Sequence, residues 1–225
     1  MKNYKTITIN KCLSTISFDV IAYQMDVDNK KTDTVKELFD NVITEVKDAY
    51  QITDVVNIPK LKISRDGYKK LGIDPSRYRL ATESLIRRIV KGFDVYRIGD
   101  IVDLGNILSI KTKRSVCVVD LDKVIGDIHI TQGTKEDIYE GINRGIINIT
   151  NMPVYCDEIG PFGTPTSDTI RTAVNSDTKS ILVMIICFDN TDLILDEELL
   201  ISLYQTYANA KNITKLNVIK LQDEV

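Results

Sequence analysis

Three segments of this sequence place polar, basic or glycine residues where packing alone does not call for them. The first is Arg79-Leu80-Ala81-Thr82-Glu83-Ser84-Leu85-Ile86-Arg87-Arg88-Ile89-Val90-Lys91-Gly92. The second is Ile101-Val102-Asp103-Leu104-Gly105-Asn106, with Val119-Asp120-Leu121-Asp122-Lys123 after it. The third, Gly160-Pro161-Phe162-Gly163-Thr164-Pro165-Thr166-Ser167-Asp168-Thr169-Ile170-Arg171-Thr172, concentrates glycine, proline and hydroxyl side chains. That composition suits a rigid loop presenting amides and hydroxyls to an ester or a phosphate, and suits a plain surface loop equally. Asp103, Asn106 and Ser109 recur along one ridge of a helix between apolar residues, so they must be hydrogen-bonded or face a pocket. Gly105 inside that helix costs about 1 kcal/mol relative to alanine, which calls for a close neighbour there, either a strand or a ligand. Asp120 and Asp122 share one side of a strand, where a structural turn is the favoured role.

Other chemistry is poorly served. The single histidine, His129, would have to centre any charge-relay triad or multi-histidine metal site, and a strand histidine satisfied by a neighbour is the better reading. Cys12, Cys117, Cys156 and Cys187 contain no C-x-x-C pair, so neither a zinc knuckle nor a dithiol motif is present. Cys187 sits inside an apolar run and reads as a small core residue. No nucleotide-phosphate loop is visible, so ATP use is not expected, and no cofactor or metal is expected either.

The net charge is −3, yet its distribution is uneven. Residues 60–97 carry 11 basic side chains against 4 acidic ones, a net of +7, while both flanks are acidic. A solvated helical face explains this, and so does contact with phosphate. Hydrophobic residues make up 43% of the 225 and charged residues 27%, which is ordinary globular usage. The longest apolar run, Ile181 to Phe188, is eight residues, far short of the roughly 20 that cross a bilayer. No membrane partner is expected, and with no secretory signal visible the expectation is a soluble, cytoplasmic protein.

No repeat, low-complexity tract or linker divides the chain, so residues 1–225 are expected to form one domain. Alternation predicts strands at 4–9 and 15–25. Thr34 and Glu37 have capping-box spacing before an amphipathic helix reaching Tyr50. Further helices are expected at 62–71, at Thr82–Lys91 and, capped by Asp100, through about Lys111. Strands follow at 115–120, 124–130, 138–149 (with a turn at Asn143-Arg144-Gly145), 153–156 and 180–188. A helix after Asp196 and a strand from Leu216 to Leu221 close the chain. Helices in the middle and strands afterwards, without regular βαβ alternation, predict an α+β fold.

Taken together and in order, these segments resemble the B3/B4 tRNA-binding domain family of the phenylalanyl-tRNA synthetase β subunit, with the free-standing proteins of that family the nearer match. The resemblance rests on R-L-x-x-E-x-L-x-R-R-x-x-K-G, then V-D-L-x-N, then D-L-D-K-x-x-G-D, then S-D-x-x-R-T and D-T-K before an apolar strand. These anchors run from about residue 62 to residue 188.

The resemblance implies a layered, sandwich-like β core with packed helices. In the synthetase this module holds an editing site that hydrolyses tyrosine wrongly attached to phenylalanine tRNA. It implies a candidate trans-editing aminoacyl-tRNA deacylase that acts on the aminoacylated tRNA 3′ end, with no metal, no cofactor and no aminoacylation by this chain alone. Asn106 matches the family's pocket asparagine and is the expected catalytic residue, with Asp103 supporting it. The family's histidine position falls near Cys117. The segment carrying its pocket glutamate aligns with a stretch that offers Thr166, Ser167, Asp168, Arg171 and Thr172, next to Gly163. Arg79, Arg87, Arg88 and Lys91 are the expected tRNA contacts. A non-catalytic tRNA- or RNA-binding module and an amino-acid-sensing protein that keeps only the pocket are the alternatives.

Overall fold

The computed structural model describes residues 4–222 and has an α+β architecture. Its middle layer is an antiparallel sheet ordered β10 (Lys211–Lys215), β2 (Asp19–Asp26), β9 (Ser180–Cys187), β3 (Ser115–Asp120). β9 is the continuous apolar run of the sequence, and it lies inside the sheet, paired with β2 on one side and β3 on the other. A strand covered on both faces needs no polar alternation, which explains its composition. Because side chains alternate along each strand, the register divides the sheet into two faces. Cys117, Val119, Leu182, Met184, Val20 and Ala22 point one way, whereas Val116, Val118, Val183, Ile185, Ile21 and Tyr23 point the other.

The first of these faces packs on a second sheet ordered β11 (Asn217–Lys220), β1 (Thr6–Ile9), β4 (Ile128–Gln132), β7 (Pro153–Cys156), β8 (Pro161–Gly163). β1 runs parallel to both its neighbours, and the remaining pairs are antiparallel. Ile7, Ile9, Ile128, Ile130 and Val154 close the layer between the two sheets. The stretch 138–149, expected as two strands, pairs only at β5 (Glu140–Gly141) and β6 (Gly145–Ile146). The turn at Asn143 and Gly145 is present, both at positive φ. Tyr139 and Ile149 of this stretch are buried in the inter-sheet core, whereas Ile138 and Ile146 stand exposed, so the hairpin is anchored by its ends and its strands stay short.

The other face of the middle sheet is covered by α1 (Asp33–Ala49), α3 (Ala81–Val90), α4 (Asp100–Thr112) and α5 (Leu193–Ala208). α2 (Pro59–Lys70) bridges the layers, with Leu61 in the helical core and Tyr68 in the inter-sheet core.

The helix ends correct three expectations. α1 is capped by Thr32, whose hydroxyl accepts from the Val35 amide, so the Thr34–Glu37 box lies inside the helix. α4 begins after Gly99, because the Asp100 carboxylate is taken by Thr32 and Arg97. α5 starts at Leu193, before Asp196, whose carboxylate serves Arg114 and Lys60. The closing strand expected at Leu216–Leu221 is β11, and a further strand, β10, precedes it and joins the other sheet.

Candidate functional site

The inter-sheet layer is apolar except at one end, where a polar group is assembled from distant parts of the chain. Cys117 enters from β3, facing the second sheet. Tyr155 comes from β7, Tyr68 from the end of α2, and Tyr139 from just before β5, all fully buried. The loop after β8 supplies Thr166 and Asp168. The Tyr68 and Thr166 hydroxyls are hydrogen-bonded at 3.0 Å, and the Tyr139 hydroxyl donates to the Ser167 carbonyl.

Local chemistry fixes that loop. The Thr164 hydroxyl accepts from the amides of Thr166 and Ser167 at 3.1 and 3.0 Å, which is the turn that Thr-Pro-Thr-Ser favours. Gly163 leaves room for its neighbours: a Cβ there would lie 2.6 Å from the Tyr155 ring and 2.9 Å from Asp168 Oδ1.

The Cys117 thiol lies beside the Asp168 carboxyl, oriented so that the thiol would be the donor of the two. Burial pushes Asp168 up to about 7, and the thiol's hydrogen bond only partly opposes this. Burial, reinforced by the Asp168 charge, holds the Cys117 thiol well above its usual range. Cys117 is therefore a neutral donor and not a thiolate nucleophile, while Asp168 exchanges a proton near neutrality. Burial also raises the three tyrosines, which remain phenols. The Tyr155 hydroxyl is buried with no partner among the described residues, beside this pair. An orphaned buried hydroxyl is uncommon and marks a place where polar capacity is unused.

Of the residues expected in the pocket, Cys117, Gly163, Thr166, Ser167 and Asp168 are brought together. Arg171 is not among them, because its guanidinium is held in a bidentate pair by Asp157 at 2.9 and 3.0 Å. Asp157 also accepts from the amides of Ile125, Ile159 and Gly160, so this pair pins a loop. Thr172 is fully buried, its hydroxyl unpartnered among the described residues.

The expected catalytic pair lies elsewhere. Asn106 and Asp103 are on α4, which packs on the helical face of the middle sheet, and Cys117 projects from the opposite face. The sheet itself separates them. Asp103 accepts from Arg97 Nε at 2.8 Å and from the Ile98 amide, while half-buried Asn106 makes no side-chain hydrogen bond among the described residues. Ser109, third on that ridge, is bonded to Thr82 and to the Arg114 carbonyl. Gly105 admits a strand: a Cβ there would meet Val118 of β3 at 2.5 Å. Asp120 caps the turn that follows it and accepts from Thr178, the structural role.

The basic stretch is largely paired internally. Glu83, fully buried, receives Arg65 and Arg87 at 2.7 Å each, with Arg79 at 4.0 Å. Two arginines of the R-L-x-x-E-x-x-x-R spacing thus flank the glutamate one turn on either side. Arg97 is bound to Asp100 and Asp103. Arg88 lies over the rings of Phe93 and Tyr96, and Lys91 is exposed. His129 is exposed on β4. Among the described residues there is no cluster of metal-ligating side chains, and no helix is long and apolar enough to cross a membrane.

The three tyrosines escaped sequence reading because single aromatics scattered over 90 residues carry no spacing signal; only the fold juxtaposes Tyr68, Tyr139 and Tyr155.

A model of the B3/4 domain family matches residues 64–200, more than half of the chain. No curated protein matches. Among solved structures the chain is similar to an N-terminal fragment of the phenylalanyl-tRNA synthetase β-subunit from Pyrococcus horikoshii, with a TM-score of 0.55 and 11% identity. That likeness, one of fold, covers 100% of this chain and 54% of the other, so this chain spans about half the length of that fragment. The matched residues contain α3, α4, β3, the Cys117–Asp168 pair and the loop after β8, and the chain belongs to the B3/4 domain family.

Proposed function

We propose that this protein is a trans-acting hydrolase of misacylated tRNA, and that its amino-acid pocket is the polar end of the inter-sheet layer. What carries the reading is the placement of the Asp168 carboxyl beside the Cys117 thiol and the unpartnered Tyr155 phenol, where burial raises the carboxyl to about 7. A carboxylate with a pKa close to the working pH is suited to take a proton from water. Water would add to the ester carbonyl as its proton passes to Asp168. The tetrahedral intermediate would then collapse with release of the tRNA 3′ oxygen, which recovers the proton. The products are the free amino acid and deacylated tRNA.

Cys117 and Tyr155 would serve as donors, to the substrate's side chain or to the developing oxyanion. Thr166, Ser167 and Gly163 would shape the wall. Arg88 and Lys91, at the end of α3, remain proposed phosphate contacts, whereas Arg79 and Arg87 are drawn toward Glu83 and would contribute less. Asn106 and Asp103 would act only by supporting the fold from the helical side.

The internal pairing of the arginines favours a second reading, an amino-acid-binding protein with little affinity for RNA. One experiment separates the two. Single-turnover deacylation is followed with a panel of aminoacylated tRNAs, tyrosyl-phenylalanine tRNA first, for the wild type, Asp168→Asn and Asn106→Ala. Ester loss above the spontaneous rate, abolished by Asp168→Asn and kept by Asn106→Ala, supports the hydrolase. No acceleration for any member, with thermal stabilisation by a free amino acid, supports the sensor. Loss with Asn106→Ala alone, in a folded protein, would move the chemistry to α4.

A further inference from the structure

We propose that the loop joining α3 to α4 is a stacking strip for single-stranded RNA, a surface separate from the buried pocket. Residues 91–99 have no regular structure, yet three large apolar side chains stand out from them: Phe93, Tyr96 and Ile98, at 58%, 75% and 61% exposure. Scattered single exposures of this kind are ordinary, but three within six residues are a patch.

The patch is organised. The Arg88 guanidinium lies 5.9 Å from the Phe93 ring centre and 5.0 Å from that of Tyr96, and its Nε donates to the Asp94 carbonyl. One arginine therefore holds both rings and keeps its charge at their faces.

Charge complementarity selects the occupant. Lys91 is exposed one turn beyond Arg88 and forms no ion pair among the described residues. On the other flank, Ile98 and Gly99 line a cleft of about 320 Å³ with Lys30, Lys31 and Asn175. Lys31 is likewise exposed and unpaired among the described residues, while Lys30 only approaches Asp28 at 3.8 Å. Asp94 is the single acid between residues 91 and 99. Cations at both ends and rings between them match a chain of alternating phosphates and flat bases. A duplex, whose bases are already stacked, could offer only its phosphates. An apolar protein partner would be served by the rings but not by the flanking lysines.

The inference rests on the reading that the partner is RNA, and its test is independent of hydrolysis. Fluorescence anisotropy is measured with a labelled, unstructured RNA 12-mer and with the same strand annealed to its complement. The single strand is expected to bind more tightly than the duplex. Phe93→Ala with Tyr96→Ala should weaken it about tenfold or more, and Tyr96→Phe should not. Lys31→Ala with Lys91→Ala should flatten the dependence on log salt by about 1.4, roughly 0.7 per phosphate contact. The exposed positions leave folding intact, which circular dichroism checks. No binding of the single strand at low salt, or equal binding by the ring-deficient variant, overturns the strip. Asp168→Asn is expected to keep the oligonucleotide affinity, so deacylation without oligonucleotide binding removes this proposal alone, and the reverse removes only the hydrolase.

Discussion

Glu83 and Arg87 are joined at 2.7 Å across one turn of α3, with the glutamate wholly out of solvent and Arg65 reaching it at the same distance from α2. A motif that reads as a basic face is thus in part a helix-to-helix clamp. Removing one partner of a buried pair leaves the other charge without compensation, at a cost of about 3 kcal/mol. Glu83→Ala should therefore lower the thermal midpoint by roughly 10 °C in a chain of this size. Calorimetry or a denaturant titration checks this. A stability equal to wild type would show that the arginines find solvent as readily as Glu83.

Gly105→Ala should destabilise the fold even though alanine is the better helix former. The propensity gain is about 1 kcal/mol. The added Cβ would stand 2.5 Å from the Val118 methyl, and a β-branched side chain packed between strand and helix has little freedom to turn away. Overpacking of this kind costs about 1–3 kcal/mol, which outweighs the gain. Val118→Ala in the same chain should recover stability, and the double-mutant cycle should be non-additive.

Asp168 makes stability depend on pH with a definite sign. Its carboxyl titrates near 3.8 when unfolded and at about 7 in the fold. Below the lower value both states are protonated and the contribution is complete. As pH rises the unfolded chain ionises first, so stability declines until about 7, where the folded carboxyl ionises too. Asp168→Asn should remove this decline. Urea midpoints of the two proteins, measured from pH 4 to pH 8, should diverge across that window and run level above it.

Amide exchange should be slowest along β9. Its residues Ile181–Ile186 are paired on both edges and covered by a core on each face. Opening them requires parting β2 and β3 together, close to global unfolding. Two-residue β5 and β6, with Ile146 exposed, should exchange far faster.

How much of this was legible beforehand depended on whether a feature was local. The apolar run Ile181–Phe188 announced a doubly covered strand because eight apolar residues leave no wet face. α1 announced itself by the spacing of Val35, Phe39, Val42 and Val46. Caps were misjudged where a side chain suited to capping was taken by a remote partner, as Asp100 is by Thr32 and Asp196 by Arg114. The loop 163–168 stood out by composition, but its partners Tyr68, Tyr139 and Tyr155 did not. Asn106 and Cys117 are 11 residues apart in the chain. That proximity carried no information about which side of β3 each would occupy. Alternation settles it once the register of β3 against β9 is known.

β1 is flanked by β4 and by β11, so the first strand of the fold pairs with one of the last. During vectorial synthesis the helical layer is itself completed late, because it needs α5, which ends at Ala208. The inter-sheet core, and with it the Cys117–Asp168 end, stays unsealed until Asn217–Lys220 has left the ribosome.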